Sequence, residues 1–154
     1  GAQSSGNLFL LDEPFAKSLK TAIEKQIEKY RLEFHNSDQG FLNNWPERYE
    51  LFGWMVSIKT GGNLDPHNHK EGWLSGSFYL SLPETDAHQE DEGKIAFSYQ
   101  GPKYPVDDKS FKKKIVDIKI RDICMFPSSL FHETIPFQGD DERISFAFDV
   151  KPIP

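Results

Sequence analysis

The sequence predicts a mainly β fold, an antiparallel sandwich or barrel, preceded by one amphipathic helix. From residue 49 onward, short segments rich in β-branched and aromatic residues alternate with turn residues. No helical periodicity interrupts these segments, and such a run of short strands is typical of antiparallel sandwiches and barrels. Before residue 40, in contrast, apolar residues recur every three or four positions, as in a helix.

The helix is predicted at about residues 13–33, with Asp12 as a candidate N-cap and Pro14 in the first turn. Its apolar stripe consists of Phe15, Leu19, Ile23, Ile27 and Tyr30. The barrel is predicted at about residues 49–150. Its strand candidates lie at about 49–60, 73–82, 93–100, 113–120, 122–127 and 142–150. We expect the loops 34–44, 84–92 and 104–109 to select a substrate, because loops on a rigid scaffold carry specificity.

Length and charge limit the function. The 154 residues suit one domain, 1–154. The formal net charge of −6 argues against a nucleic-acid or anionic membrane surface, which needs clustered positive charge. Cys124 is the single cysteine, so no internal disulfide can form, and no apolar stretch reaches the roughly 18 residues of a membrane span. We therefore expect a cytoplasmic protein.

Two histidines separated by one residue, His67 and His69, precede the strand predicted at 73–82. In an extended chain their side chains share a face, with Cα atoms about 6.5–7 Å apart, so both can bind one metal ion. A polar loop with two solvated histidines explains the pair equally well. His132 is a third candidate ligand, because it follows an apolar run and a turn.

Arg143 begins the last predicted strand, where Arg143, Ser145 and Ala147 alternate with an apolar face. If this face points into a barrel, the arginine needs a carboxylate partner, whereas a solvent-exposed face needs none. Trp54 and Trp73 are interpreted as core residues.

Four motifs in this order resemble a branch of the Fe(II)- and 2-oxoglutarate-dependent oxygenases. The motifs are His67-Asn68-His69, Ser75-Gly76-Ser77-Phe78-Tyr79, Phe126-Pro127-Ser128-Ser129-Leu130-Phe131-His132 and Arg143-Ile144-Ser145. Each motif alone is weak, but together they cover about residues 40–149. The resemblance implies a double-stranded β-helix, or jelly-roll barrel, with a metal near its open end.

For the metal, the resemblance implies Fe(II) bound by His67, His69 and His132. Many relatives use two histidines and a carboxylate, and here a histidine stands at the carboxylate position. A rival frame, His69-Lys70-Glu71, would restore a carboxylate through Glu71. Imidazole also suits Zn, Cu and Ni, so the choice of metal stays open.

For the co-substrate, the resemblance implies that 2-oxoglutarate sends its far carboxylate to Arg143 and Ser145, with the Tyr79 hydroxyl as a further donor. A half-buried core role explains Tyr79 nearly as well. The reaction would hydroxylate an unidentified protein side chain or small molecule with O2, converting 2-oxoglutarate to succinate, with ascorbate as an optional reductant.

Two alternatives stay open. A cupin would have the same barrel, and His67, His69 and His132 fit part of its pattern, but its glutamate is displaced to Glu71. A non-catalytic β-barrel used for binding would carry the histidines by accident. Neither alternative gives Arg143 a dicarboxylate to bind.

Overall fold

The computed structural model describes residues 1–85, 88–101, 103–104 and 112–154. The strands are β1 (Ala2–Gln3), β2 (Tyr49–Lys59), β3 (Leu64–His67), β4 (Leu74–Ser81), β5 (Ile95–Ser98), β6 (Lys114–Val116), β7 (Ile123–Pro127), β8 (Phe131–Thr134) and β9 (Glu142–Pro152). The helices are α1 (Pro14–Glu33) and α2 (Gly40–Asn43), and Leu8–Leu10 forms a 3-10 turn. Of the predicted loops, residues 105–109 and 86–87 lie outside the described residues.

The strands form two antiparallel sheets. The larger sheet has the order β1-β2-β9-β4-β7, and the smaller has the order β3-β8-β5-β6. Two such sheets with an N-terminal helix confirm the predicted mainly β, jelly-roll type of fold. Within the described residues the two sheets do not join into one closed barrel. That residues 1–154 form a single domain stays a prediction.

Helix α1 packs on the outer face of the larger sheet. Leu19, Ile23 and Ile27 are buried there, and full burial of such a side chain contributes about 1.5–3 kcal/mol. The predicted start of the stripe is wrong, because the buried face begins at Ala16 and Phe15 is rotated away from it, 56% exposed. The predicted N-cap is also wrong. Glu13 occupies the cap position, while Asp12 forms an ion pair with Lys17. No described helix is long and apolar enough to cross a membrane.

Two of the strands, β3 and β8, lie where the sequence predicted no strand. Each has four residues, and β3 contains Pro66 and an irregular register, which conceal the alternation of a strand. Because β3 is at the edge of the smaller sheet, its proline interrupts no inner ladder. The strands predicted at about 93–100 and 113–120 are shorter than expected, at Ile95–Ser98 and Lys114–Val116.

Strand β9 is the centre of the larger sheet and pairs with β2 and β4 along its length. Phe146, Phe148 and Val150 pack in the core that includes α1. The opposite face of β9 carries Arg143, Ser145 and Ala147, which share one face as the alternation predicts, and this face lines a cavity between the sheets rather than facing solvent. This strand therefore connects the hydrophobic core with the candidate site.

Residues 2–7 cover the outer edge of β2. Strand β1 pairs with β2 at Val56 and Ser57, and the Asn7 side chain bonds the backbone of Leu51 and Gly53 at 2.9 and 3.0 Å. Backbone groups of an otherwise open edge strand are thereby paired. The same segment brings Gln3 to the wall of the cavity.

Candidate metal centre

Three histidines meet at the end of the smaller sheet. His67 ends β3 and lies directly opposite His132 of β8 in the antiparallel pair. His69 follows two residues later, and its backbone N–H donates to the Ser128 oxygen at 2.9 Å, which fixes this loop. One ligand atom of each ring lies within 4.8 Å of the others. The structure thus places the three predicted ligands together.

Hydrogen bonds at Nδ1 determine which ring nitrogen is protonated. In all three rings Nδ1 lies close to an oxygen that can only accept, so Nδ1 carries the proton and the Nε2 lone pair is free for a metal. His67 Nδ1 lies 2.7 Å from the backbone oxygen of Asp65, and His132 Nδ1 lies 3.2 Å from that of Leu130. His69 Nδ1 lies 2.6 Å from Oδ1 of Asp149.

Burial keeps His67 and His132 neutral. Burial, reinforced by the neighbouring His67 and His69, lowers the pKa of His132 to about 3. Burial likewise lowers the pKa of His67. Neutral imidazole is the form that binds a metal, so at neutral pH neither ring has to lose a proton first.

Glu71 does not join the cluster. Its side chain is 82% exposed, and its carboxylate lies 3.1 Å from the Lys151 ammonium. The backbone turns between His69 and Gly72, whose N–H donates to the His69 oxygen at 3.3 Å. This arrangement favours the three-histidine set over the frame that ends at Glu71.

The histidines border a cavity of about 160 Å³ between the two sheets. Both sheets contribute to its wall, which combines apolar and polar side chains. The apolar lining residues include Trp54, Val56, Leu64, Ile95, Phe126 and Ala147, and the polar ones, besides the three histidines, are Gln3, Ser77, Thr134, Arg143 and Ser145. Polar groups that converge beside apolar side chains in a concavity are typical of a small-molecule site.

Arg143 is a charged residue in the wall of the same cavity, and it is only 3% exposed. Its Nε donates to the Gly93 oxygen at 2.8 Å, and one terminal nitrogen reaches Ser145 Oγ at 3.4 Å. Gly93 has a φ of 74°, a conformation that favours glycine. Guanidinium has five N–H donors; among the described residues three of them have no acceptor, and no carboxylate there forms an ion pair with the group. Burying such a charge is costly unless an anion joins it.

Tyr79 lies beside this arginine. It is fully buried in β4, directly opposite Ser145, and its ring centroid is 5.2 Å from the guanidinium carbon of Arg143. The hydroxyl is close to Ser77 and Arg143, but neither contact has hydrogen-bond geometry. Burial raises the pKa of Tyr79, so the phenol stays a neutral donor. Its predicted role toward a co-substrate stays a prediction.

Two residues near the metal centre were not predicted. Trp54, interpreted as core, lines the cavity with its ring centroid 5.6 Å from that of His69, whereas Trp73 packs in the core as expected. Asp149 is 5% exposed and accepts from His69. The alternation of β9 was a signal for Asp149, because it continues the face of Arg143 and Ser145.

The fold and the site define a jelly-roll protein with three clustered histidines and a buried arginine in one cavity. A family model described as "Putative 2OG-Fe(II) oxygenase" matches residues 53–149. The chain belongs to this family of 2-oxoglutarate- and Fe(II)-dependent oxygenases, which are oxidoreductases. No curated protein sequence matches the chain.

Solved structures with the same fold support the architecture. A prolyl-4-hydroxylase from Pseudomonas putida matches with a TM-score of 0.62 and 14% identity, over 99% of this chain and 71% of that one. A 2OG-Fe(II) oxygenase family oxidoreductase from Burkholderia pseudomallei has a TM-score of 0.58 and 10% identity, over 92% of this chain and 58% of that protein. HygX from Streptomyces hygroscopicus, with nickel and 2-oxoglutarate bound, has a TM-score of 0.51 and 16% identity, over 71% of this chain and 59% of HygX. The chain therefore spans between 58% and 71% of these proteins, and identities this low show the shared fold alone.

Proposed function

We propose that this protein is an Fe(II)- and 2-oxoglutarate-dependent dioxygenase that hydroxylates a substrate still to be identified. The observation that carries the proposal is the buried Arg143 guanidinium, which lines the same cavity as His67, His69 and His132. Histidines alone would suit a cupin or a binding protein. A metal centre together with a buried cation suits a ligand that chelates at one end and carries a carboxylate at the other.

The donor set fits the metal. Three clustered imidazoles whose Nε2 atoms are free of the hydrogen bonds at Nδ1 are ligands for Fe(II), and they leave coordination positions for a chelating co-substrate. When bound, Fe(II) supplies the redox chemistry in which 2-oxoglutarate, O2 and R–H become succinate, CO2 and R–OH. Ascorbate, as an optional reductant, would keep the metal in the ferrous state.

The far end of the co-substrate is bound by Arg143. Its planar fork matches a carboxylate, and each charge-assisted hydrogen bond contributes about 1.5–3 kcal/mol. Ser145 Oγ, 3.4 Å from the guanidinium, adds a hydroxyl, and the Tyr79 phenol is a further donor on the same face. The cavity of about 160 Å³ suits the ten non-hydrogen atoms of 2-oxoglutarate.

Apolar side chains and burial strengthen the contact with the co-substrate. Trp54, Val56 and Phe126 line the cavity, and the burial of Arg143 strengthens its electrostatic contact with a carboxylate. No catalytic acid or base is required from the chain beyond the residues that hold metal and co-substrate.

A second, open groove of about 270 Å³ borders the metal centre and supports a route for the prime substrate. It shares Trp54 and His69 with the cavity, and Phe52 and Lys151 extend it outward. None of its lining residues comes from the loops 34–44 or 84–92, which we predicted to select the substrate. The substrate, a protein side chain or a small molecule, and the cytoplasmic location remain predictions.

The test is turnover of 2-oxoglutarate. Protein loaded anaerobically with Fe(II) should form succinate from 2-oxoglutarate when O2 is admitted, even without a prime substrate, at a slow uncoupled rate. His132→Ala protein treated identically is the control. Succinate no higher than in this control, together with no binding of 2-oxoglutarate to the metal-loaded wild type, would refute the proposal.

A further inference from the structure

A chain of buried polar side chains lies directly behind His69. Asp149 Oδ1 accepts hydrogen bonds from His69 Nδ1 and from Ser75 Oγ, both at 2.6 Å. Because Ser75 donates to the carboxylate, its own oxygen accepts from Ser128 Oγ, at 2.7 Å. Asp149, Ser75 and Ser128 are each 5% exposed or less. This network is shielded from solvent and ends at one metal-binding ring.

The network is assembled from three parts of the fold. Ser75 and Asp149 are directly opposite each other on β4 and β9, while Ser128 follows β7. Gly72 allows the loop after His69 to approach, because a Cβ there would lie 3.0 Å from Ser128 Cβ and 3.3 Å from Asp149 Cγ. Burying a carboxylate costs several kcal/mol, and here its hydrogen-bond partners among the described residues are the His69 ring and the Ser75 hydroxyl. A carboxylate is therefore placed where core packing alone does not require one.

We propose that Asp149 is a positioning residue for the metal, acting through His69. The carboxylate holds the ring with Nε2 toward the cluster and increases the basicity of that nitrogen. It also provides, one hydrogen bond away, the negative charge that a three-histidine set lacks. Among the described residues, no carboxylate accepts a hydrogen bond from His67 or His132, because their Nδ1 atoms donate to backbone carbonyl oxygens. The inference rests on the proposed metal site and adds a residue to it.

The first experiment measures binding of Co(II) alone to the metal-free protein, by competition with a chelator. Asp149→Asn keeps the size and an oxygen acceptor but removes the charge, and should weaken Co(II) binding about 10- to 100-fold. The visible absorption of bound Co(II) should also shift, because the His69 nitrogen becomes a weaker donor. Glu71→Gln, which removes an exposed carboxylate two residues after His69, is the matched control and should bind as the wild type does.

Equal affinities of wild type and Asp149→Asn would overturn the inference. An equal loss in Glu71→Gln would also overturn it, because the effect would then be general charge rather than the hydrogen bond to His69. A wild type that binds Co(II) but not 2-oxoglutarate contradicts the proposed function and leaves the role of Asp149 standing. A wild type that binds no Co(II) contradicts both.

A second measurement needs no variant, so it decides the question even if Asp149→Asn does not fold. In ¹⁵N-labelled wild type loaded with Zn(II), the Nδ1 protons of the three ligating rings are observed by NMR. The His69 proton should lie furthest downfield, because its acceptor is a carboxylate, whereas His67 and His132 donate to carbonyl oxygens. A His69 ring without a proton on Nδ1, or with a shift equal to the other two, would refute the inference.

Discussion

Arg143→Ala should separate co-substrate binding from metal binding. In the part of the chain that the structure describes, the side chain has three N–H donors without an acceptor, and it is only 3% exposed, so a carboxylate bound there would be desolvated. Removing one partner of such a pair costs about 2–5 kcal/mol, which corresponds to roughly 30- to 4,000-fold weaker 2-oxoglutarate binding. Metal affinity should change by no more than a few fold, because arginine is not a ligand.

The assay titrates anaerobic, Fe(II)-loaded protein with 2-oxoglutarate and follows the metal-to-ligand absorption band. Arg143→Lys should recover part of the affinity, since a point charge cannot reproduce the two-pronged geometry. Arg48→Ala, at an exposed arginine that bonds the carbonyl oxygen of Pro154, is the matched control. Equal 2-oxoglutarate affinities of wild type and Arg143→Ala would refute both the role of Arg143 and the oxygenase mechanism built on it.

Three further predictions address the metal centre and the core. In a metal titration, wild type should bind about one Fe(II), Mn(II) or Ni(II) per chain, and His132→Ala should abolish this binding. His35→Ala, at an exposed histidine just after the helix, is the control and should bind normally. Tight metal binding that persists in His132→Ala would disprove the site. Glu71→Ala should leave metal affinity nearly intact, and a loss as large as that of His69→Ala would instead favour the frame with the carboxylate. Burial, aided by Asp122, raises the pKa of Cys124 to about 11, so at pH 8 only about 0.1% of the thiol is ionised. Iodoacetamide should therefore alkylate Cys124 far more slowly in the folded protein than in urea-unfolded protein. Equal alkylation rates in the two states would contradict the raised pKa.

Local patterns were sufficient for much of the fold. The helical stripe predicted α1 to within one residue at its start, and the alternation predicted that Arg143 and Ser145 share one face of β9, although not that this face meets a cavity. Such features depend on neighbours in sequence, whose geometry follows from the helix and strand repeats. The four-residue strands β3 and β8 were missed because so few residues show no repeat.

The metal centre depended on contacts that sequence patterns do not contain. The pairing of His67 with His132 joins residues far apart in the chain, and its register follows from the packing of whole sheets. The same holds for Trp54, whose apolar side chain predicted burial but not that its neighbour would be His69. Asp149 was missed although it shares the face of Arg143, because an aspartate near a strand end is ordinarily solvated.

The pairing of residues 2–7 with β2 bears on how the molecule avoids self-association. Without that segment, the eleven residues Tyr49–Lys59 would present one open edge of backbone donors and acceptors beside the aromatic rings of Phe52 and Trp54. Exposed edges of this kind recruit a strand from another molecule, so removal of the first seven residues should promote dimerisation or aggregation. Because Gln3 also lines the cavity, the same removal would widen access to the histidines. The N-terminal segment thus has two expected effects: it covers an edge strand that could pair with another molecule, and it limits access to the metal centre.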